Sequence, residues 1–224
     1  MSTAKQCKCT DIIWHNMFID CLTDLSKAKV KVVLVNDIDS RLTLDGDTAC
    51  RGYWDDNNWR KPELHCQVTK TENWIETFVH EYCHFRQWKE RCDVWKKCRR
   101  FSQDDDDTLY SGEYMHPTRM NNFIAATREL EADCEKRTVS MFKQYNIPQS
   151  DIDKYIRQAN VYINFYTYVK WYRTWPSAPA DSPSKQPECL SAASTQFQKD
   201  YSIIPDDLLQ VFINKFPPIC EVTQ

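Results

Sequence analysis

The residues most able to do chemistry in this sequence are two histidines that flank a glutamate, in His80-Glu81-Tyr82-Cys83-His84. On a helix, residues four apart lie on one stripe with Cβ atoms about 5–6 Å apart. Both imidazoles can therefore bind one zinc ion at about 2.0–2.1 Å each. Glu81 lies one step round the helix, where it can take the proton of a zinc-bound water whose pKa is lowered to about 7. We expect His80 and His84 to be zinc ligands and Glu81 to be a general base.

The spacing of this motif is unlikely to arise by chance. With five histidines among 224 residues, a His-Glu-x-x-His arrangement is expected about 0.005 times. The stripe of Thr77, His80 and His84 also lies opposite the apolar face of the predicted helix, whereas core histidines would lie on that face. That apolar face consists of Ile75, Phe78, Val79, Tyr82, Cys83 and Phe85. A polar stripe on such a helix is typical of a helix that lines a cleft.

A zinc site of this kind needs a third protein ligand. Metzincins have a glycine and a histidine three and six residues after the second histidine, but Gln87 and Glu90 stand here, which excludes that class. The segment Arg128-Glu-Leu-Glu-Ala-Asp133 resembles the Glu-x-x-Ala-Asp element of thermolysin-like and neprilysin-like enzymes. By that resemblance Glu129 is the third ligand, and Asp133 accepts a hydrogen bond from a ligating imidazole.

Two other residues stay open as the third ligand. Helical periodicity does not choose between Glu129 and Glu131. His116 is the one histidine downstream of His84.

Three segments of the chain, at residues 77–88, 129–137 and 145–148, resemble the small metallopeptidases encoded by tailed bacteriophages. The likeness extends from about Trp74 to Tyr172, which is somewhat under half of the chain. It implies a zincin-like, gluzincin-type site with Zn²⁺ as cofactor, and hydrolysis of a peptide or protein substrate. It also implies other phage structural proteins as partners.

A second hypothesis makes the chain a phage virion or assembly protein that uses a zincin-like fold as a structural or binding module. A purely structural zinc site has no use for Glu81 beside its histidines. Intact His80, Glu81 and His84 therefore favour the enzyme.

The pattern of apolar residues predicts the elements that position these side chains. These elements predict an α+β, helix-rich fold with a small mixed or antiparallel sheet before the metal-binding helix, and the resemblance implies that this fold is zincin-like. We expect residues 1–175 to form the metallopeptidase domain, 176–188 a proline-rich linker and 189–224 a helical C-terminal tail. Helices are predicted at 11–25, 71–91, 117–145, 150–173 and after Pro205, and strands at 30–36, 50–54 and 63–68.

The composition of the chain indicates which partners and which cellular compartment to expect. The net charge of -3 is far from the basic balance of a nucleic-acid-binding protein, and we expect no nucleic-acid partner. No long apolar run predicts a membrane span, and no signal-peptide core is found near Met1. We expect the host cytoplasm, with association to the virion, rather than secretion. The eleven cysteines are then expected to be free thiols, and the run at 104–107 a solvated acidic loop.

Overall fold

The structure is a computed structural model that describes residues 11–36, 42–44, 48–68, 73–111, 113–173 and 182–217. These residues form a helix-rich α+β protein with a small mixed sheet, which confirms the α+β and helix-rich part of the prediction. The chain divides into two compact units. The first contains the residues up to Glu90 together with Arg137–Pro148, and the second contains Arg91–Lys136 together with the residues from Gln149 onward.

The first unit begins with helix α1, Ile12–Lys27, whose N-terminus is capped by the Asp11 carboxylate. Its buried face carries Trp14, Met17, Phe18, Cys21 and Leu25. The Phe18 ring meets Phe78 edge-on at 4.7 Å between centroids, and aromatic pairs of this geometry add to the energy of burial. The helix predicted at 11–25 is confirmed.

Five strands follow α1 in the described part of the chain, and three of them form one sheet. The strands are β1 (Lys31–Asn36), β2 (Leu42–Leu44), β3 (Thr48–Cys50), β4 (Gly52–Asp55) and β5 (Glu63–Val68). The order is β1-β5-β4, with β5 parallel to β1 and antiparallel to β4, while β2 and β3 form a separate antiparallel pair. The strands predicted at 50–54 and 63–68 are therefore present as β4 and β5, which form an antiparallel pair. The strand that leads into the predicted metal-binding helix, β5, is central rather than at the edge, because β1 pairs with its other side.

Helix α2, Trp74–Glu90, packs on this sheet and carries the histidine motif. Its apolar face is buried as predicted, and Glu81 and Gln87 are buried with it. Two hydrogen bonds to the Asp24 carboxylate of α1 hold this helix in place. The Tyr82 hydroxyl donates one at 2.9 Å, and the Lys89 ammonium donates the other at 3.1 Å. The position of the motif is therefore set by both the sheet and α1.

The second unit begins with two helices, α3 (Asp93–Cys98) and α4 (Gln103–Ser111). The expectation of a solvated acidic loop at 104–107 is wrong, because these residues lie in α4 and Asp105 is buried. Carboxylates are favourable in the first turn of a helix. Asp105 also pairs with Arg119, at 2.8 Å between Nη2 and Oδ2, and accepts from the Ser102 amide.

Two long helices follow, α5 (Pro117–Gln144) and α6 (Gln149–Tyr172). Both were predicted to within a few residues. Residues 117–136 of α5 belong to the second unit, and its last two turns belong to the first. Asn146, at φ 56°, adopts the left-handed conformation that ends many helices.

The C-terminal residues pack on α6 in the second unit. A 3₁₀ turn at Pro183–Lys185 precedes α7 (Pro187–Ala192) and α8 (Asp206–Lys215). The last residues of the predicted linker, 176–188, therefore lie in the 3₁₀ turn and at the start of α7, while residues 174–181 lie outside the described residues. The predicted tail helix is confirmed as α8, and its inward residues Leu208 and Phe212 join Phe165 in one apolar cluster.

Within the described residues, no helix is both long and apolar enough to cross a membrane.

Candidate metal centre

The two histidines of α2 meet at their Nε2 atoms. His80 and His84 are half-buried, and their Nε2 atoms are 3.2 Å apart, with ring centroids 4.7 Å apart and ring planes at 87°. Two nitrogens bound to one tetrahedral zinc ion at about 2.0–2.1 Å would be about 3.3–3.4 Å apart. The observed separation therefore fits shared coordination of one ion.

Gln87 decides which nitrogen of His84 carries the proton. Its Oε1 lies 2.8 Å from Nδ1 of His84, and a carboxamide oxygen only accepts hydrogen bonds. Nδ1 is therefore the donor, and Nε2 of the neutral ring keeps the lone pair that faces His80. Metal-binding histidines commonly donate their other ring N–H to an oxygen in this way, which fixes the tautomer and the ring orientation. Gln87 is fully buried, so this acceptor is held in place.

Glu81 lies on the side of α2 that packs on the sheet. It is 6% exposed, and its Cγ would be 3.0 Å from a Cβ placed on Gly52 of β4. Burial, followed by the negative charge of Glu81, raises the pKa of the Cys66 thiol. Cys66 is paired with Gly52 in the β4–β5 ladder. The general-base candidate is therefore enclosed by α2, β4 and β5.

The side of α2 away from the histidines is anchored by polar and sulfur contacts. Burial, followed by the hydrogen bond to Asp24, raises the pKa of the Tyr82 hydroxyl. Burial acts to raise the pKa of Asp24, but the hydrogen bonds from Lys89 and Tyr82 outweigh it and leave that pKa below its ordinary value. Cys83, between the two histidines in sequence, has its Sγ 3.9 Å from Sδ of Met141. Cys83 thus contributes packing here, in agreement with the expectation of a free thiol.

The element predicted to supply the third ligand lies on α5. Glu129 is exposed and its Oε2 is 2.7 Å from the Lys97 ammonium. Glu131, two residues on, is 7% exposed, and Asp133 is half-buried. Periodicity does not distinguish the two glutamates, but their burial differs, since Glu131 is buried and Glu129 is exposed.

Glu131 lies in an acidic part of the second unit. Burial, then the charges of Asp107, Asp105 and Glu131, raise the pKa of Asp106 to about 7. Burial, then Glu131 and Asp106, also raise the pKa of the Cys98 thiol to about 12. Negative charge is therefore concentrated where α3 and α4 meet α5.

A cysteine follows the acidic element of α5 directly in the sequence. Cys134 is a buried cysteine on α5 that forms no disulfide, and it stands one residue after Asp133. Histidine and cysteine are the ligand types that zinc prefers. Cys134 was not predicted as a ligand.

His116, the other alternative for the third ligand, has a local role. It is exposed just before α5, and its Nδ1 accepts a hydrogen bond from the Thr118 amide at 3.3 Å. Its carbonyl accepts from the Met120 amide. His116 therefore caps the start of α5.

Three residues of the candidate site were missed in the sequence, and each left a different signal. Gln87 stands three residues after His84, on the same stripe of the helix. Cys134 follows the acidic element directly, where a thiol is a possible ligand in its own right. Gly52 is one of three glycines, but which neighbour it approaches is decided by packing alone.

Comparison of this chain with protein-family models, with curated proteins and with solved structures found no match in any of the three.

Proposed function

We propose that this protein is a zinc-dependent peptidase of the zincin type, with His80 and His84 as ligands and Glu81 as the general base. The observation that carries the proposal is the pair of Nε2 atoms 3.2 Å apart, with Nδ1 of His84 held by Gln87. When bound, zinc would supply a Lewis acid for the substrate carbonyl and would acidify a water. Glu81 would accept the proton of that water and pass it to the leaving amine.

The edge of the sheet supports a peptide as the substrate. Among the described residues, β4 pairs with β5 on one side and has no strand on the other. Extended peptides bind proteins by adding a strand to such an edge. Gly52 of β4 approaches Glu81 closely, so a peptide added to β4 would run beside the general base.

For the third ligand, we propose a residue of α5. Glu129 is the residue that the resemblance implies, and its Oε2 lies 2.7 Å from the Lys97 ammonium. Cys134 is buried on the same helix and is of a residue type that binds zinc. A thiolate and a carboxylate contribute the same charge to the site, so either completes it. Asp133 remains the predicted acceptor for His80, since Gln87 already accepts from His84.

A panel of variants tests the metal site. The protein as purified is expected to contain about one zinc per chain, and His80→Ala and His84→Ala should abolish binding. Glu129→Gln, Glu131→Gln and Cys134→Ala are then compared by competition with a chromophoric chelator. Loss of affinity in one of them identifies the third ligand. Equal zinc content in the wild type and in the histidine variants would overturn the proposal.

Catalysis is tested separately with Glu81→Gln, which should keep the zinc but lose activity. A positioned general base contributes about 10²–10⁴-fold. The assay is cleavage of a peptide library and of phage-infected cell lysate, with Glu76→Gln on the same helix as the matched control. Products formed by the wild type and by Glu76→Gln, and suppressed by a chelator, support a peptidase. If Glu81→Gln fully supports phage growth, the second function proposed from the sequence is correct, and the fold is a virion or assembly module.

A further inference from the structure

Gly52 is at a place where β4 comes too close to α2 for any side chain. A Cβ at this position would lie 2.9 Å from Cγ2 of Thr77, 3.0 Å from Cγ of Glu81 and 3.0 Å from the carbonyl oxygen of His65. Carbon atoms in van der Waals contact are about 3.5–4.0 Å apart. One of the three contacts is with backbone in the central strand, which cannot move without shifting the sheet. A side chain at position 52 would therefore require its neighbours to shift.

The close approach restricts the side chain of Glu81. Its Cγ contacts β4 at Gly52, and the whole residue is 6% exposed. Cys66, which faces Gly52 in the ladder, is near enough for the Glu81 charge to act on its thiol. The methylene groups of Glu81 are thus enclosed by α2 on one side and by the two strands on the other. Such enclosure limits the rotamers that the carboxylate can adopt.

We propose that Gly52 is a positioning residue for Glu81, and that the contact with β4 sets where the carboxylate stands relative to the histidine pair. This inference rests on the proposed function. Reacting groups must be held within about 0.5 Å of the productive geometry. A misplacement of about 1 Å can reduce the rate about 100-fold. A methyl group at position 52 would have to displace the Glu81 stem by several tenths of an ångström.

A purely structural role for Gly52 makes a different prediction. Crowding between β4 and α2 would then lower the melting temperature, and a ligand that uses Glu81 would bind as before. The two roles are separated by a ligand that contacts both the metal and the carboxylate. Acetohydroxamic acid is such a probe, because it chelates zinc through two oxygens and can donate a hydrogen bond to a neighbouring carboxylate.

The experiment is a double-mutant cycle on the zinc-loaded protein, with the Kd of acetohydroxamic acid as the readout. Glu81→Gln is expected to weaken binding about tenfold or more. Gly52→Ala should keep its zinc and weaken binding to a similar degree. The double variant Gly52→Ala/Glu81→Gln should bind no more weakly than Glu81→Gln, because the two changes act through one carboxylate.

A second variant keeps the inference testable if Gly52→Ala folds poorly. Thr77→Ser removes the methyl group of the closest contact, so Gly52→Ala/Thr77→Ser should fold better and still bind the hydroxamate weakly. Thr77→Ser alone is the control and should bind as the wild type does.

The outcomes separate this inference from the proposed function. If the wild type holds no zinc, or if its hydroxamate binding does not depend on Glu81, the proposed function is overturned, and this inference with it. If the wild type meets both conditions, two results overturn the positioning role alone. One is that Gly52→Ala binds acetohydroxamic acid with the affinity of the wild type. The other is that the double variant loses as much binding free energy as the two single variants lose together.

Discussion

Removing the carboxamide of Gln87 should weaken zinc binding while leaving both histidines in place. Gln87→Leu keeps most of the side-chain volume in a fully buried position, but it removes the oxygen 2.8 Å from Nδ1 of His84. In the metal-free protein, the neutral His84 ring can respond by moving its proton to Nε2. With zinc on Nε2, the proton must stay on Nδ1, where its Gln87 acceptor is gone. The cost of the substitution therefore falls mainly on the zinc-bound state.

The size of the effect follows from that difference. A buried donor that loses its acceptor costs about 1–3 kcal/mol, and about 1.4 kcal/mol corresponds to a tenfold change in affinity. We therefore expect zinc affinity to fall about 10–100-fold, the range found when groups behind metal-binding histidines are removed. Gln87→Glu keeps an acceptor at the same position and should retain or increase the affinity.

Competition with a chromophoric chelator at constant pH measures this directly, with circular dichroism to confirm that each variant is folded. Gln144→Leu, at an exposed position at the end of α5, is the matched control. A folded Gln87→Leu protein whose zinc affinity lies within about twofold of the wild type would refute the assignment of the His84 tautomer.

Three further predictions concern stability. Because the pKa of Asp106 is raised to about 7 from an ordinary 3.8, the folded state keeps a proton that the unfolded chain releases. Stability should therefore fall as pH rises from about 4 to 7, by up to about 1.4 kcal/mol per pH unit. In urea unfolding, the stability of Asp106→Asn should no longer fall over this pH range. The stability of the exposed control Asp104→Asn should still fall. Tyr82→Phe removes the hydrogen bond to Asp24 and should lower the unfolding free energy by about 0.5–1.5 kcal/mol; no change would mean that α2 is not anchored there. Chelation of the metal should lower the melting temperature of the wild type and leave that of His80→Ala unchanged, as differential scanning fluorimetry can show.

The parts of the site that follow from local geometry could be predicted from the sequence. His80 and His84 are four residues apart on a helix with a clear apolar face, and helical geometry alone brings two such side chains together. The pair of strands before that helix and the long helices from 117 and 149 were also predictable, because each has its own apolar periodicity. The type of each of these elements is a property of its own residues.

Other features depend on residues that are distant in the sequence. The helix at 103–111 has little apolar pattern, and a partner of its buried Asp105 is Arg119, 14 residues later. The central place of β5 depends on its pairing with β1, which is separated from it in the sequence by β2, β3 and β4. No periodicity in either segment contains this information.

Burial decided what spacing left open within the candidate site. Helical periodicity does not distinguish Glu129 from Glu131 as a ligand. In the folded chain, Glu129 is exposed and Glu131 is buried. Gln87, three residues after His84 on the same helix, accepts the His84 hydrogen bond, whereas Gly52 lies against Glu81 because the sheet packs on α2. The sequence by itself determined which residues could bind a metal ion and activate water. The tertiary structure alone decided which residues of other elements pack against them, because those contacts join segments that no local pattern relates.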